Sequence, residues 1–259
     1  MNTINVCVGH IPFPKEFSHY IDLMLSPVPM PGGAGTAFVP DSYFGEHGSS
    51  LSEYAQLLWL FENIDNICSG YEYIRVFHYR RFVAINRPTK ASQALNQPWS
   101  TVVKGSDLGE YEIDFDRNSN TELFNSRFIF ERSVLYQYAD AHILEDILNF
   151  ARYISRRKIL SDINVAEFLS INTMIPSCSI AVYKVATFKI LFSFLRQAGE
   201  FINSDDFRVR AGYQRRVMGF LLERLNSYLL LALIGNKKVV GKFGHNIVIS
   251  DSPEVTLTH

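Results

Sequence analysis

The run Tyr73-Ile74-Arg75-Val76-Phe77-His78-Tyr79-Arg80-Arg81-Phe82 constrains the fold more than any other stretch of the sequence. Its β-branched and aromatic opening reads as a buried strand, and the strand ends abruptly in four cationic or hydrogen-bonding side chains. Ligands of α/β proteins bind where strands end. Two arginines there suit an anion, because the guanidinium fork bonds phosphate oxygens bidentately and stays charged at any physiological pH. A phosphate-bearing substrate is therefore expected. The same residues also suit a solvated strand end with a half-buried histidine, so the remainder of the chain has to decide.

The flanking pattern supplies a βαβ order. Ile4 to Gly9 reads as a first strand, followed by His10 and broken by Pro12 and Pro14. No glycine-rich phosphate fingerprint follows it. Ser26 to Gly48 is rich in proline and glycine and reads as a long loop, either a cover for a ligand or a surface excursion. Ser50-Leu51-Ser52-Glu53 fits a capping box opening a helix through Asn63, on which Leu51, Tyr54, Leu58 and Phe61 share a face. Gly70 punctuates its end before the Tyr73 strand. This order specifies a parallel sheet.

Further along, Tyr111 to Asp116 alternates like a strand, and Asp114 and Asp116 form a DxD pair. Such a pair holds a divalent ion in some glycosyltransferases, yet alternation at an edge strand gives the same spacing. Glu131 to Arg157 reads as one long helical region, Asn164 to Leu169 as a short helix, Ser177 to Tyr183 as a strand, and Ala186 to Glu200 as a helix. In Gly212 to Leu225, Arg216, Gly219 and Glu223 fall on one helical face. A mid-helix glycine costs about 1 kcal/mol against alanine and implies a close approach there, by a ligand, a backbone or a packed helix. Lys237 to Phe243 and Asn246 to Ser250 read as a terminal hairpin around Gly241 and Gly244.

Charge and composition exclude several classes. The 25 basic and 26 acidic residues nearly cancel, so no global field recruits nucleic acid, and any phosphate affinity must be local. Cys7, Cys68 and Cys178 are far apart in apolar surroundings and read as reduced core thiols of a cytoplasmic protein. The first residues lack the pattern of a signal peptide. The apolar stretch Tyr228 to Ile234 is too short to span a bilayer and reads as the buried end of a helix.

Three ordered blocks then carry a resemblance: Ser52-Glu53-Tyr54-Ala55-Gln56-Leu57-Leu58-Trp59-Leu60-Phe61-Glu62-Asn63, the strand ending His78-Tyr79-Arg80-Arg81-Phe82, and Tyr213 to Leu225. Together they resemble a bacterial glycosyltransferase family of capsular-polysaccharide and O-antigen gene clusters, many of whose members are known only as a domain of unknown function. The family pattern is a Glu-Leu-type helix with Trp and a terminal Asn, a strand ending His-Tyr-Arg-Arg-Tyr, and a late Tyr-Gln-x-Arg-x-x-Gly-Phe-Leu-x-Glu-Arg-Leu segment. Here Phe82 stands for the final Tyr, and no motif aligns between about Pro88 and Leu169. The likeness spans roughly Ile4 to Leu230.

The resemblance implies a GT-A-like nucleotide-binding α/β fold with a mostly parallel central sheet flanked by helices. It implies one domain over residues 1–259, with nucleotide-sugar binding mainly in 1–120 and the acceptor and catalytic part mainly in 121–259. The implied reaction moves a sugar, galactofuranose or another hexose, from a nucleotide-diphosphate sugar to a growing surface polysaccharide of the O-antigen, lipopolysaccharide or capsular kind. The acceptor would be a glycan or lipid-linked glycan, and the protein cytoplasmic and peripheral to the inner face of the membrane.

In a GT-A-like order the strand ending in His78 lies where many such enzymes hold a metal-binding Asp pair. His78, Tyr79, Arg80 and Arg81 are thus expected to take the diphosphate in place of a metal, and no cofactor is expected. His10, Glu53, Tyr213 and Arg216 are further substrate-binding candidates. Glu223 is the first candidate for the base that deprotonates the acceptor, with Asp205 and Asp206 behind it. A structural Arg216–Glu223 pair is the competing reading. A phosphotransferase is disfavoured for want of a phosphate loop, and a catalytically inactive nucleotide- or glycan-binding module is the alternative class.

Overall fold

The computed structural model describes residues 2–11, 15–28, 35–39, 43–88, 91–94, 97–105, 107 and 121–250. The strands are β1 Thr3–Val8, β2 Leu23–Ser26, β3 Thr36–Phe38, β4 Tyr73–His78, β5 Arg81–Ala84, β6 Ser92–Ala94, β7 Gln97–Val103, β8 Glu122–Asn125, β9 Phe128–Ile129, β10 Thr173–Met174, β11 Val182–Lys184 and β12 Gly241–Ile249. The helices are α1 Tyr43–Glu46, α2 Gly48–Leu51, α3 Tyr54–Glu62, α4 Ile64–Ile67, α5 Val134–Ala141, α6 Leu144–Arg156, α7 Asp162–Ser170, α8 Val185–Gly199 and α9 Val217–Gly235. Short 3-10 turns at Lys15–Tyr20, Glu200–Asn203 and Gly212–Arg216 join some of them.

β4 is buried on both faces, as its composition requires. Ile74 and Val76 point into the main core with Ile4, Val6 and Val8 of β1, while Phe77 joins Cys7, Met24, Phe82 and Ile247 in a smaller core on the opposite face. β1 runs parallel to both β2 and β4, with Val8 opposite His78. The two strand ends therefore deliver His10 and His78 to one edge.

The sheet is mixed and not mostly parallel. Its path is β3-β2-β1-β4-β11-β8-β12-β7-β6, and β5 bridges β4 and β12. Strands β4, β11, β8, β12 and β5 thus close into a ring. The parallel pairings of β1, β2, β3 and β4 and of β12 with β7 and β8 are matched by antiparallel ones around β11, β5 and β6. The expected parallel order is continuous from β3 through β4 and is broken at β11 and β5. The reason is that β4 turns straight back into β5, with His78 paired to Arg81, instead of crossing over through a helix.

Other sequence expectations are corrected locally. The capping box does not form: the chain turns at Ser52, α3 begins after Glu53, and the Ser50 hydroxyl is buried without a hydrogen-bond partner. The long helix breaks at His142, whose φ of −138° and ψ of 178° are extended, and Gln214 Nε2 donates to the freed Ala141 carbonyl at 3.0 Å. Of the apolar stretch at 177–183, only Val182 onward is a strand. Its earlier amides bond α9, Ile175 N–H to Ser227 Oγ at 2.7 Å and Ser177 N–H to Glu223 Oε1 at 3.0 Å. The expected Tyr111 strand and the residues beyond Ser250 lie outside the described residues.

The expected terminal hairpin is one strand. β12 pairs parallel with β8 through Gly244 and then antiparallel with β5 from His245. The backbones come so close at this crossing that a Cβ on Gly244 would collide with the Ala84 carbonyl oxygen. α9 fills the core beside the ring, with Met218, Leu221, Leu222, Leu225 and Leu230 fully buried. Each contributes about 1.5–3 kcal/mol of burial. With its preceding turn, this segment, Gly212–Gly235, is long and apolar enough to cross a membrane, but 72% of its apolar window is buried inside the protein. Gly244→Ala is expected to lower the unfolding free energy by about 1–3 kcal/mol. A denaturant midpoint unchanged from wild type would contradict the close crossing of β5 and β12.

Candidate functional site

A cavity of about 990 Å³ opens at the edge to which β1 and β4 lead. That is at the upper end of the roughly 300–1,000 Å³ typical of ligand sites. Its floor is the β4–β5 turn. The Tyr79 amide donates to the Val8 carbonyl at 3.1 Å, and Arg80 offers its carbonyl to the Ile249 amide at 2.9 Å, which fixes the turn between β1 and β12. The Tyr79 ring is enclosed by His10 at 4.9 Å, His78 at 4.3 Å and the Arg80 guanidinium at 5.4 Å.

The cavity is lined by four arginines, Arg80, Arg81, Arg216 and Arg224, against two carboxylates, Glu53 and Glu223. Arg224 is consumed by the protein: Nε and Nη2 hold Gln137 Oε1 at 3.1 and 2.7 Å, and Nη1 donates to the Phe220 carbonyl at 2.9 Å. Arg216 donates through Nε and Nη2 to Ser52 Oγ at 3.1 and 2.8 Å and lies 3.5 Å from Glu53. Arg80 Nε, Arg81 Nε and His78 Nδ1 are buried with no hydrogen-bond partner. An orphaned buried donor carries a desolvation penalty of roughly 1–3 kcal/mol, larger on a charged group, until a ligand acceptor meets it.

Burial dominates the electrostatics. It pushes His78 down to about 3, with Glu53 opposing and Arg81, Arg80 and His10 assisting. It lowers Arg81 also, against the pull of Glu53 and Glu223. For Glu53 burial acts upward, and the His78 ring, Arg216 and the Ser52 hydroxyl together outweigh it and hold the carboxyl below its usual range. Arg216, 3.5 Å away, and the 2.7 Å hydrogen bond from the Ser52 hydroxyl both favour the ionised carboxylate.

Of the residues expected from sequence, His10, Glu53, His78, Tyr79, Arg80, Arg81, Tyr213, Arg216 and Glu223 all line this one cavity. Asp205 and Asp206 do not. Asp206 is bound outside by Arg152 at 2.9 Å and Arg156 at 3.5 Å, and the Asp205 carbonyl accepts from Arg208 in a surface turn. Arg216 pairs with Glu53 instead of Glu223. It caps α9 from the preceding 3-10 turn and so does not share the helical face with Glu223. Gly219 serves a backbone approach: a Cβ there would lie 2.9 Å from Ser52 Cβ and 3.1 Å from the Leu51 carbonyl oxygen.

Several lining residues escaped the sequence reading. His142 stacks on Phe220 at 4.1 Å, beside Tyr213, forming an aromatic wall, and Trp99 packs against Phe130 at 5.7 Å on another. His142 was hidden inside an apparent helical repeat, and no local signal marks Ser52 or Ser177. The carboxylates of the cavity are already engaged within the protein. Glu53 is occupied by Ser52 and Arg216, Glu223 Oε1 takes the Ser177 amide, and among the described residues no cluster of three acidic, His or Cys side chains has metal-binding geometry. Asp114 and Asp116 lie outside the described residues.

With the geometry in hand, the fold can be placed among solved structures. The chain superposes on the apo structure of the WbbM bifunctional glycosyltransferase with a TM-score of 0.71 at 14% identity, covering 96% of this chain and 46% of that one. The architecture is therefore a mixed α/β fold similar to that of this glycosyltransferase, and the chain spans a little under half the length of that protein. The chain belongs to the family described as Domain of unknown function (DUF4422), whose model matches residues 45–232. That span contains every expected site residue except His10. No curated protein matches the chain.

Native His78 stays neutral down to about 3, whereas an unfolded histidine binds its proton near 6.5. Across that window the unfolded chain holds more protons, so stability rises with pH and is lost as pH falls from about 6.5 toward 3. Thermal melts at about pH 7 and pH 5 should differ less for His78→Gln than for wild type. Equal differences would mean that His78 is charged in the folded protein.

Proposed function

We propose that this chain is a glycosyltransferase that moves a hexose, galactofuranose among the candidates, from a nucleotide-diphosphate sugar to a growing bacterial surface glycan. In this reading it acts at the inner face of the membrane as a single GT-A-like domain, the donor bound mainly by residues 1–120 and the acceptor mainly by 121–259. The observation that carries the reading is the pair of buried guanidinium Nε atoms, on Arg80 and Arg81, left without acceptors in the wall of the cavity. Four arginines against two glutamates leave an excess of two positive charges, which matches the two negative charges of a sugar-linked pyrophosphate. The fold shared with WbbM supports the same class.

The residues divide the chemistry. Arg80, Arg81 and Arg216 hold the pyrophosphate, and their fixed charge stabilises the negative charge that grows on the leaving phosphate as the bond from the anomeric carbon to phosphate oxygen breaks. Glu223, oriented by the Ser177 amide and with no hydrogen bond to Oε2 among the described residues, receives the proton of the acceptor hydroxyl as its oxygen bonds to the anomeric carbon. The electron pair of the broken bond leaves with the nucleoside diphosphate. Glu223 lies close enough to Arg81 to act on its charge, so base and clamp face the same reacting centre. His10 and Tyr79 border the donor, and the His142, Phe220 and Tyr213 wall offers ring faces to a sugar.

The test is release of nucleoside diphosphate from a panel of nucleotide sugars, with and without EDTA. Arg80→Ala is expected to weaken nucleoside-diphosphate binding by about tenfold or more. Glu223→Gln should spare binding and lower turnover by at least about a hundredfold. The opposite pattern would overturn the role assignments. Activity abolished by EDTA would transfer the diphosphate to a metal and bring Asp114 and Asp116 forward. Binding without turnover on any sugar would make the chain a binding module.

A further inference from the structure

Four non-glycine residues have positive φ among the described residues: Ser52, Lys158, Ser177 and Lys237. Lys158 and Lys237 are exposed and follow the ends of α6 and α9, where a left-handed residue commonly closes a helix. Ser52 also ends a helix, the one-turn α2, but with a ψ of −136° that is not left-handed helical, and Ser177 ends none of the helices given above. Each lines the cavity and contacts one of its two carboxylates, Ser52 next to Glu53 and Ser177 next to Glu223. Ser52 is the more extreme, since its φ of 56° and ψ of −136° fall near the turn position ordinarily reserved for glycine. A non-glycine residue persists there only where its surroundings over-determine it, and such residues cluster at functional sites.

What the side chain does explains why glycine is not used. The Ser52 hydroxyl accepts from Arg216 Nε and Nη2 and donates to Glu53 Oε2, at 3.1, 2.8 and 2.7 Å. One oxygen thus orients both members of an ion pair whose own separation is 3.5 Å, and it directs a side chain that is 46% exposed. Nη1 of Arg216 is left without a partner among the described residues. Gly219 makes the arrangement possible by letting α9 approach Ser52 to a distance that a Cβ would forbid.

We propose that Ser52 is a positioning residue, held in a strained backbone so that its hydroxyl presents the Arg216 guanidinium to the diphosphate of the donor. This rests on the transferase reading above and adds a residue that the sequence pattern does not mark. Arg80 and Arg81 are fixed by the sheet; Arg216 sits on a 3-10 turn and needs this external hold.

The experiment compares Ser52→Ala, Ser52→Gly and Arg216→Ala, alone and combined, by calorimetric titration with nucleoside diphosphate and by thermal melting. Both Ser52 variants lose the hydroxyl and should bind about tenfold more weakly. The glycine variant should melt higher than the alanine variant, since only glycine relieves the backbone. In an Arg216→Ala background, Ser52→Ala should change binding no further. Wild-type affinity in folded Ser52→Ala, or an equal loss in the Arg216→Ala background, would overturn the inference while leaving the transferase reading intact. Absence of nucleoside-diphosphate binding by the wild type would overturn both.

Discussion

Burying cationic groups without a full set of acceptors is the constraint on which the rest of this structure depends. Ionised side chains removed from water are destabilising by several kcal/mol each unless they are paired and hydrogen-bonded. Here the guanidinium groups of Arg80 and Arg81 are carried into a cavity wall with their Nε donors unmet among the described residues, and Glu53 and Glu223 stand close enough to offset the charge of Arg81. Protein stability alone does not select such an arrangement. It is tolerated because the surrounding framework is rigid, and on the proposed reading an anion completes it.

The framework supplies that rigidity in two ways. The β4–β5 turn is locked on both sides, to β1 through Val8 and to β12 through Ile249, so the arginines cannot relax into solvent. The ring of β4, β11, β8, β12 and β5 closes behind it. α9 then runs through the core with its polar residues aimed selectively: Glu223 against the Ser177 amide and Arg224 fastening Gln137, with Arg216 on Ser52 just before its start. The same helix that anchors the core therefore carries the opposite wall of the site.

Much of this was legible in the sequence because the strongest signals are local. The strand from Tyr73 to His78, the helices α7 and α8, and the grouping of His78, Arg80, Arg81, Arg216 and Glu223 follow from composition, spacing and three ordered blocks. The failures have a common cause in tertiary contacts. A backbone hydrogen bond to a side chain on α9 replaced the strand at Ser177, stacking against Phe220 pulled His142 out of a helix, and the strain at Ser52 displaced a capping box. The return of β4 into β5 through a two-residue turn made a mixed sheet where a βαβ reading gave a parallel one. Asp205 and Asp206 looked eligible by charge, but the arginines on α6 that hold Asp206 lie far away in sequence.

On the proposed reading, the unmet guanidinium donors of the β4–β5 turn form a diphosphate site. Four arginines and two glutamates around one cavity give it the charge, and the fixed turn gives it the geometry. The most direct measurement is a crystal structure with a nucleoside diphosphate bound. The account predicts pyrophosphate oxygens at about 2.7–2.9 Å from the Nε atoms of Arg80 and Arg81. A nucleotide bound elsewhere, or with its phosphates turned away from that turn, would contradict it.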